Sequence, residues 1–172
     1  MIDHGVKAPA LSRWGMAAAA ATSLAILATG AVAQDKEGFA GLPAAAVKAR
    51  QEFMRAQAAD TRIMRDYAKG AATKAEAEKA IADLQLRNGS ILQQLVPGTS
   101  AADLPGVSFA KPAAFADKAR LEAIVANLKA IEDRTAAAIR TGTPEQAGAA
   151  AAEIGRVGCA GCHTAYRERP AA

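Results

Sequence analysis

The sequence has few aromatic residues, only two cysteines and only two histidines. Phe, Trp and Tyr together make up 4% of the 172 residues, although hydrophobic residues as a whole make up 51%. Alanine supplies much of that hydrophobic fraction, and it is the strongest helix former but fills little core volume. No segment shows the polar–apolar alternation of a half-buried strand. The composition therefore predicts an all-α protein whose helices pack around something other than large side chains.

The charge is mild and evenly distributed. The chain has 21 basic and 17 acidic residues and a formal net charge of +4. Basic residues are interspersed with acidic ones along the predicted helices, a pattern typical of a solvated surface rather than of a nucleic-acid-binding patch. We expect no nucleic-acid partner.

The N-terminal segment has the pattern of a secretory signal peptide. Lys7 and Arg13 precede an uncharged stretch, residues 14–33, that ends in Ala-Val-Ala. We expect cleavage after this ending, so that residues 1–33 are a signal peptide and residues 34–172 form the exported domain. The alternative is a retained membrane anchor, since twenty residues could span a bilayer. Most of the stretch is Ala, Gly, Ser and Thr, which favours cleavage, a periplasmic location and no membrane association afterwards.

Four segments have apolar residues at helical spacing and residues typical of helix ends. The first begins at Pro43 and stops at Gly70, because Pro favours the first helical position and Gly a helix end. Thr73 and Thr143 each precede a Glu or Gln three residues later, which is the capping-box pattern. Two short connections and one longer one, residues 97–111, predict an antiparallel four-helix bundle. The predicted helices are residues 43–69, 73–95, 112–140 and 143–169.

The cysteines and one histidine lie together in Cys159-Ala160-Gly161-Cys162-His163. This C-x-x-C-H pattern is a c-type haem attachment site. Residues three and four apart lie on one helix face, so both thiols and the imidazole can reach one planar porphyrin. The thiols would form thioethers with the haem, and neutral His163 would bind its iron. A single haem c would also fill the space between alanine-rich helices.

Three other interpretations of this motif remain. A structural zinc site usually has four Cys or His ligands, and residues 34–172 contain only these three. A thioredoxin-like redox pair usually lies near a βαβ unit, and no strand is predicted. A simple disulfide is compatible with an oxidising compartment, but it would leave the adjacent histidine and the export signal unexplained.

One C-x-x-C-H motif near the C-terminus of a four-helix chain resembles the class II c-type cytochromes, the cytochrome c′ family. The resemblance extends to Cys162-His163-Thr164-Ala165-Tyr166-Arg167, which is similar to the family's C-H-x-x-[YF]-R ending. Arg50-Gln51-Glu52-Phe53-Met54 is similar to the family's R-Q-x-x-[M/L/F/Y] pattern. The resemblance covers nearly all of residues 34–172.

The resemblance implies roles for four further residues. Arg50 and Gln51 would lie near the haem propionates, Met54 on the distal side of the iron, and Arg167 near His163. Family members often carry a Trp after a Lys-Pro or Arg-Pro step, whereas this chain has Phe115 in that region. Any hydrogen bond made by the indole is therefore lost here.

Two functions are compatible with such a protein. If Met54 binds the iron opposite His163, the haem is six-coordinate and suits a carrier of single electrons between periplasmic redox proteins. If the sixth position is free, the protein binds NO or CO and Met54 only guards the site. A passive haem protein is a third interpretation. We expect no enzyme, because the chain has no acid–base or nucleophile constellation. A homodimer is implied only by the resemblance, and we expect the haem-free chain to be poorly folded.

Overall fold

The computed structural model describes residues 36–169, and the predicted signal peptide lies outside them. Six α-helices, one 3₁₀ turn and one π-helical segment follow one another in this part of the chain. The helices are α1 (Lys36–Ala68), α2 (Lys74–Asn88), α3 (Ala113–Ala116), α4 (Lys118–Thr141), α5 (Pro144–Glu153) and α6 (Ala160–Tyr166). The 3₁₀ turn is Ile91–Gln94, and the π-helical segment is Ile154–Cys159. No helix among these residues is both long enough and apolar enough to cross a membrane.

The four long helical rods form a bundle. Helix α1 packs against α2 and α5, and α4 packs against the same two helices, so each rod has two neighbours. Short connections join α1 to α2 and α4 to α5, which makes these pairs antiparallel. The predicted all-α four-helix bundle is confirmed.

The first helix begins earlier than predicted. Helix α1 begins at Lys36 and continues through Pro43, which was predicted to be its first residue. The fixed φ of proline is compatible with a helix, so the helix continues past it with one backbone hydrogen bond missing. Its end is as predicted: Gly70 has φ = 72°, and its N–H donates to the carbonyl of Tyr67 at 3.0 Å.

The second and third helices are shorter than predicted. Both capping boxes are present, at Thr73 and Thr143, but α2 ends at Asn88, and a 3₁₀ turn follows. The third predicted helix is broken at Asp117, whose φ and ψ of −93° and 57° are not helical. There the carboxylate of Asp117 accepts a 2.6 Å hydrogen bond from the hydroxyl of Tyr166. The break in this segment of continuous helical propensity thus coincides with a tertiary contact between distant residues.

The fourth predicted helix is one continuous path with a π-helical segment in its middle. The α-helix of α5 widens to a π-helix over Ile154–Cys159 and becomes α-helical again at Ala160. It ends at Tyr166 rather than Arg169, because the backbone there pairs with the long connection. The N–H of Lys111 donates to the carbonyl of Tyr166, and that of Glu168 donates to the carbonyl of Phe109, both at 2.8 Å.

The two ends of the bundle differ in packing. Apolar side chains, among them five alanines, fill the end with the short connections; we call this set the alanine core: Met64, Ala77, Ala80, Ile81, Ile131, Ala136, Ile139, Ala147 and Ala151. The other end contains the 3₁₀ turn, the long connection and the π-helical segment. A cavity of about 500 Å³ lies there.

Candidate haem site

The attachment motif lies where the π-helical segment meets α6. Cys159, Cys162 and His163 all line the cavity. Close packing behind the motif depends on Gly158. A Cβ at this position would lie 2.5 Å from Cδ1 of Leu128, so glycine allows the π-helical segment to approach α4.

The protonation tendencies of these three side chains follow from their surroundings. Both cysteines are free thiols, and desolvation raises the pKa of each. His163 is solvent-accessible through the open cavity, but the surrounding protein still lowers the pKa of its imidazole, first by desolvation and then by the charge of Arg167. A neutral imidazole is the form that binds iron.

All seven predicted site residues line this one cavity: Arg50, Gln51, Met54, Cys159, Cys162, His163 and Arg167. The first three lie on α1, and the others lie on or beside α6. The cavity volume falls within the roughly 300–1,000 Å³ typical of small-molecule and cofactor sites. Apolar neighbours on other helices, among them Leu84, Leu121 and Val125, line it as well. Residues more than a hundred positions apart therefore meet at one site.

Arg50 is a buried cation. Its side chain is 7% exposed, and its guanidinium donates to Thr99 Oγ1 at 2.8 Å, the Thr99 carbonyl at 2.9 Å and Ser108 Oγ at 3.0 Å. Desolvation lowers its pKa. Among residues 42–169, no acidic side chain forms an ion pair with it. Because a buried charge is normally paired, an anionic group such as a haem propionate would fit here.

The other predicted side chains occupy less constrained positions. Gln51 Nε2 donates to the carbonyl of Val107 at 3.2 Å, which ties α1 to the long connection. Met54 is partly buried on the cavity wall. Arg167 is exposed and extended, and its residue forms an isolated β-bridge with Ala110. Their predicted roles toward a haem stay predictions.

Phe115 packs on the same arginine. The Cζ atom of Arg50 lies 5.9 Å from the centroid of the Phe115 ring, within the range of a cation–π contact. An aromatic residue at this place therefore supports Arg50 without an indole donor.

Sequence reasoning missed three groups of residues around the cavity. Thr99 and Ser108 hold Arg50, and the hydroxyl of Ser108 donates back to the carbonyl of Thr99. Tyr166 anchors α6 to Asp117. A third group crosses the bundle through three side chains, Gln57, Asn88 and Glu132. The available signal is a set of polar residues at inward helix positions: Gln57, Asn88 and Glu132.

The structure bears on the other interpretations of the cysteine motif. Among residues 36–169 no cluster of three or more His, Cys, Asp or Glu side chains could hold a metal ion, so zinc gains no support. The described residues contain no strand beyond the one isolated bridge, so the surroundings are not those of a thioredoxin-like pair. The two thiols are not joined as a disulfide.

The residues present fit a covalently held haem. Two free thiols and an imidazole with a lowered pKa line the cavity close together in the sequence. A buried, unpaired guanidinium lies on its wall, and most of the remaining lining is apolar. This donor set suits the edge, the iron and the carboxylates of a porphyrin.

Comparison with known proteins gives one consistent result. The sequence model described as cytochrome c′ matches residues 45–167. The solved cytochrome c′ of Rubrivivax gelatinosus is 30% identical, with a TM-score of 0.59, covering 73% of this chain and 97% of that one.

Two further solved structures share the fold. A ferrous variant of cytochrome c′ from Alcaligenes xylosoxidans with bound NO is 24% identical, with a TM-score of 0.62 and coverage of 74% and 96%. A cytochrome c′ described by its ligand-controlled dimer dissociation is 21% identical, with a TM-score of 0.65 and coverage of 74% and 97%.

A comparison with curated protein sequences gives no significant match. The family match extends from α1, which carries Arg50, to Arg167 after α6, and so spans the whole cavity. It supports a haem-binding c-type cytochrome. The chain belongs to the cytochrome c′ family.

Proposed function

We propose that this chain is a periplasmic c-type cytochrome that carries one haem c on Cys159 and Cys162, with His163 as the iron ligand, and transfers single electrons. The convergence of all seven predicted residues on one cavity carries this proposal. When bound, the haem supplies an iron that changes between the ferric and ferrous states by one electron. The side chains of the protein bind and orient this haem.

Different side chains around the cavity are suited to different parts of the haem. His163 offers a neutral nitrogen, because its pKa is lowered. Arg50 offers a fixed positive charge for a propionate, and Thr99 and Ser108 hold its guanidinium in place. Most of the remaining lining is apolar, a surrounding that would tune the reduction potential of a bound haem.

Whether Met54 binds the iron distinguishes the two candidate functions. A thioether bound to the iron opposite His163 would give a low-spin, six-coordinate haem suited to electron transfer. The test is an optical and EPR spectrum of the holoprotein in both redox states, for the wild type, Met54→Leu and the control Met64→Leu. Met64 is fully buried in the alanine core and does not line the cavity. Loss of a low-spin spectrum in Met54→Leu alone supports the electron carrier.

The second candidate function is binding of NO or CO at an open sixth position. The NO-bound relative from Alcaligenes xylosoxidans supports it, together with a partly buried side chain at Met54 that would cover the iron without binding it. A high-spin wild-type spectrum that changes on addition of CO would support this candidate and contradict Met54 ligation. The absence of any haem spectrum after expression with an attachment system would contradict both functions.

The other parts of the proposal concern partners and location. We propose transient contacts with periplasmic redox proteins, no catalytic turnover of a substrate, and export by cleavage of residues 1–33. A homodimer is supported by the relative with ligand-controlled dimer dissociation. Mass spectrometry of the periplasmic fraction tests cleavage and haem attachment together, and sedimentation with and without CO tests the dimer.

A further inference from the structure

Three buried polar side chains cross the bundle in one hydrogen-bonded chain. Gln57 on α1 donates through Nε2 to Oδ1 of Asn88 on α2, and Asn88 donates through Nδ2 to Oε1 of Glu132 on α4. The exposed fractions of these side chains are 7%, 6% and 1%. A carboxyl group therefore lies in the protein interior with an amide as its hydrogen-bond partner.

This chain connects the haem cavity to the helical core. Gln57 and Asn88 line the cavity, whereas Glu132 lies behind them. The charge of Glu132 also reaches the attachment motif, since it is one cause of the raised pKa of the Cys159 thiol. A change of charge on Glu132 is thus felt where the haem is anchored.

No cation neutralises this carboxyl group. Among residues 42–169, Glu132 is in no ion pair. On its own helix, Asp133 raises its pKa and Lys129 lowers it. On the packed helices, Asp60 pairs with Arg87 and Arg134 pairs with Glu153, each at 3.1 Å, so neither of these cations serves Glu132. From the π-helical segment, Cys159 faces Glu132 as a thiol, which becomes an uncharged thioether on haem attachment.

Burial without a counter-ion makes this group titrate near neutral pH. Desolvation raises the pKa of Glu132 to about 7, although the hydrogen bond from Asn88 acts in the opposite direction. A glutamine would fill the same space and accept the same bond from Asn88. Packing alone therefore does not account for an ionisable group at this position.

We propose that Glu132 is an internal proton-binding site that takes up one proton from solvent when the haem iron is reduced. One electron passes from a single-electron donor to the ferric iron, and the ionised carboxylate binds one proton, forming an O–H bond. No other bond changes. The proton compensates the added negative charge in an interior where charges are weakly screened. The proposal rests on haem attachment as proposed above, but on neither electron transfer nor gas binding as the physiological role.

The sign of the effect follows from linkage. Reduction makes the haem more negative and so raises the pKa of Glu132 in the ferrous protein. Between the two pKa values the midpoint potential falls as the pH rises, by up to tenfold per pH unit in the reduction equilibrium constant, or about 59 mV for one electron. Below the ferric pKa and above the ferrous pKa the potential does not change.

The test is a spectroelectrochemical titration of the holoprotein from pH 5 to pH 9. The variants are Glu132→Gln and the control Glu122→Gln, whose carboxylate is exposed on the same helix. We expect the wild type and the control to show the fall in potential beginning near pH 7, and Glu132→Gln to lose it. A fall that persists in Glu132→Gln, or a wild-type potential independent of pH, overturns the proposal.

A second variant and a second measurement guard against a folding failure of Glu132→Gln. Asn88→Leu removes the hydrogen bond that lowers the pKa of Glu132, so the fall in potential should begin at higher pH. Redox-difference infrared spectra of the wild type at pH 8 should gain a protonated-carboxyl band on reduction. An unshifted fall or a missing band contradicts the proposal. A protein without any haem spectrum contradicts the proposed function instead, so the two failures are distinguishable.

Discussion

The two ends of the bundle are packed differently. At the end with short connections, the helices approach closely because the residues at their contacts are small. A Cβ on Gly148, for example, would lie 2.4 Å from the Cβ of Ala68. At the other end, the same four rods leave a cavity of about 500 Å³. The difference teaches that this chain completes one half of its core with its own side chains and leaves the other half for a cofactor.

Several polar side chains are buried at or beside the cavity. The alanine core consists of apolar side chains. The cavity end holds a buried arginine, a buried hydrogen-bonded glutamate and the tyrosine–aspartate contact. The buried charge of Arg50 thus lies where an anionic group of a cofactor can pair with it.

The largest effect is expected from removing the covalent haem. Cys159→Ser with Cys162→Ser leaves the cavity unfilled, and an unfilled cavity of this size removes much of the contact that holds the cavity end. We expect reduced helicity and a broad thermal transition by circular dichroism. Full helicity with a sharp transition would show that the cavity end packs without its cofactor.

The next largest effect is expected from truncating a side chain in the alanine core. Ile139 is fully buried, and Ile139→Ala should lower the free energy of unfolding of the holoprotein by about 2–5 kcal/mol. The control Leu86→Ala removes a side chain that is 80% exposed, and it should change the free energy of unfolding by less than about 0.5 kcal/mol. Denaturant titration measures both. Equal effects would mean that the alanine core does not stabilise the bundle more than its surface does.

The pH dependence of stability should report on Glu132, which is buried beside the cavity. Glu132 has its pKa raised to about 7 in the folded protein from 4.5, so the folded state binds more protons than the unfolded state between these values. Glu132 should therefore contribute a fall of about 3 kcal/mol in the free energy of unfolding as the pH rises from about 4.5 through 7.

Glu132→Gln should remove this fall, and Glu122→Gln should keep it. Denaturant titrations of the holoproteins at pH 5 and pH 8 make the measurement. An equal pH dependence of stability in the wild type and in Glu132→Gln would contradict the burial of an unpaired carboxylate beside the cavity.

The smallest effect on stability is expected from losing the Tyr166–Asp117 hydrogen bond, which lies at the break in the third predicted helix. Tyr166→Phe removes the hydroxyl that donates to Asp117, and the loss of a hydrogen bond to a charged group costs about 1.5 kcal/mol. The control Tyr67→Phe alters a ring that packs against the core, and it should cost less than about 0.5 kcal/mol. Thermal unfolding compares the two variants, and equal costs would show that the Tyr166–Asp117 bond does not stabilise the cavity end.

Much of the site was predictable because its motif is local. The positions of Cys159, Cys162 and His163 along one helix are set by a few residues, and helical periodicity places them on one face. Arg50, Gln51 and Met54 were assigned to the same site through the resemblance alone, and the structure brings them to the same cavity. The hydrogen bonds of Arg50 with Thr99 and Ser108 carry no local signal, because a long connection supplies both partners.

The sequence by itself determined the helical class, the capped starts at Thr73 and Thr143, the stop at Gly70 and the attachment motif, since each depends on the conformational preferences of nearby residues. Only the tertiary structure decided the break at Asp117, the π-helical segment before Cys159 and the burial of Glu132. These features depend on contacts between residues far apart in the chain, and such contacts override local propensity wherever the cavity has to be shaped.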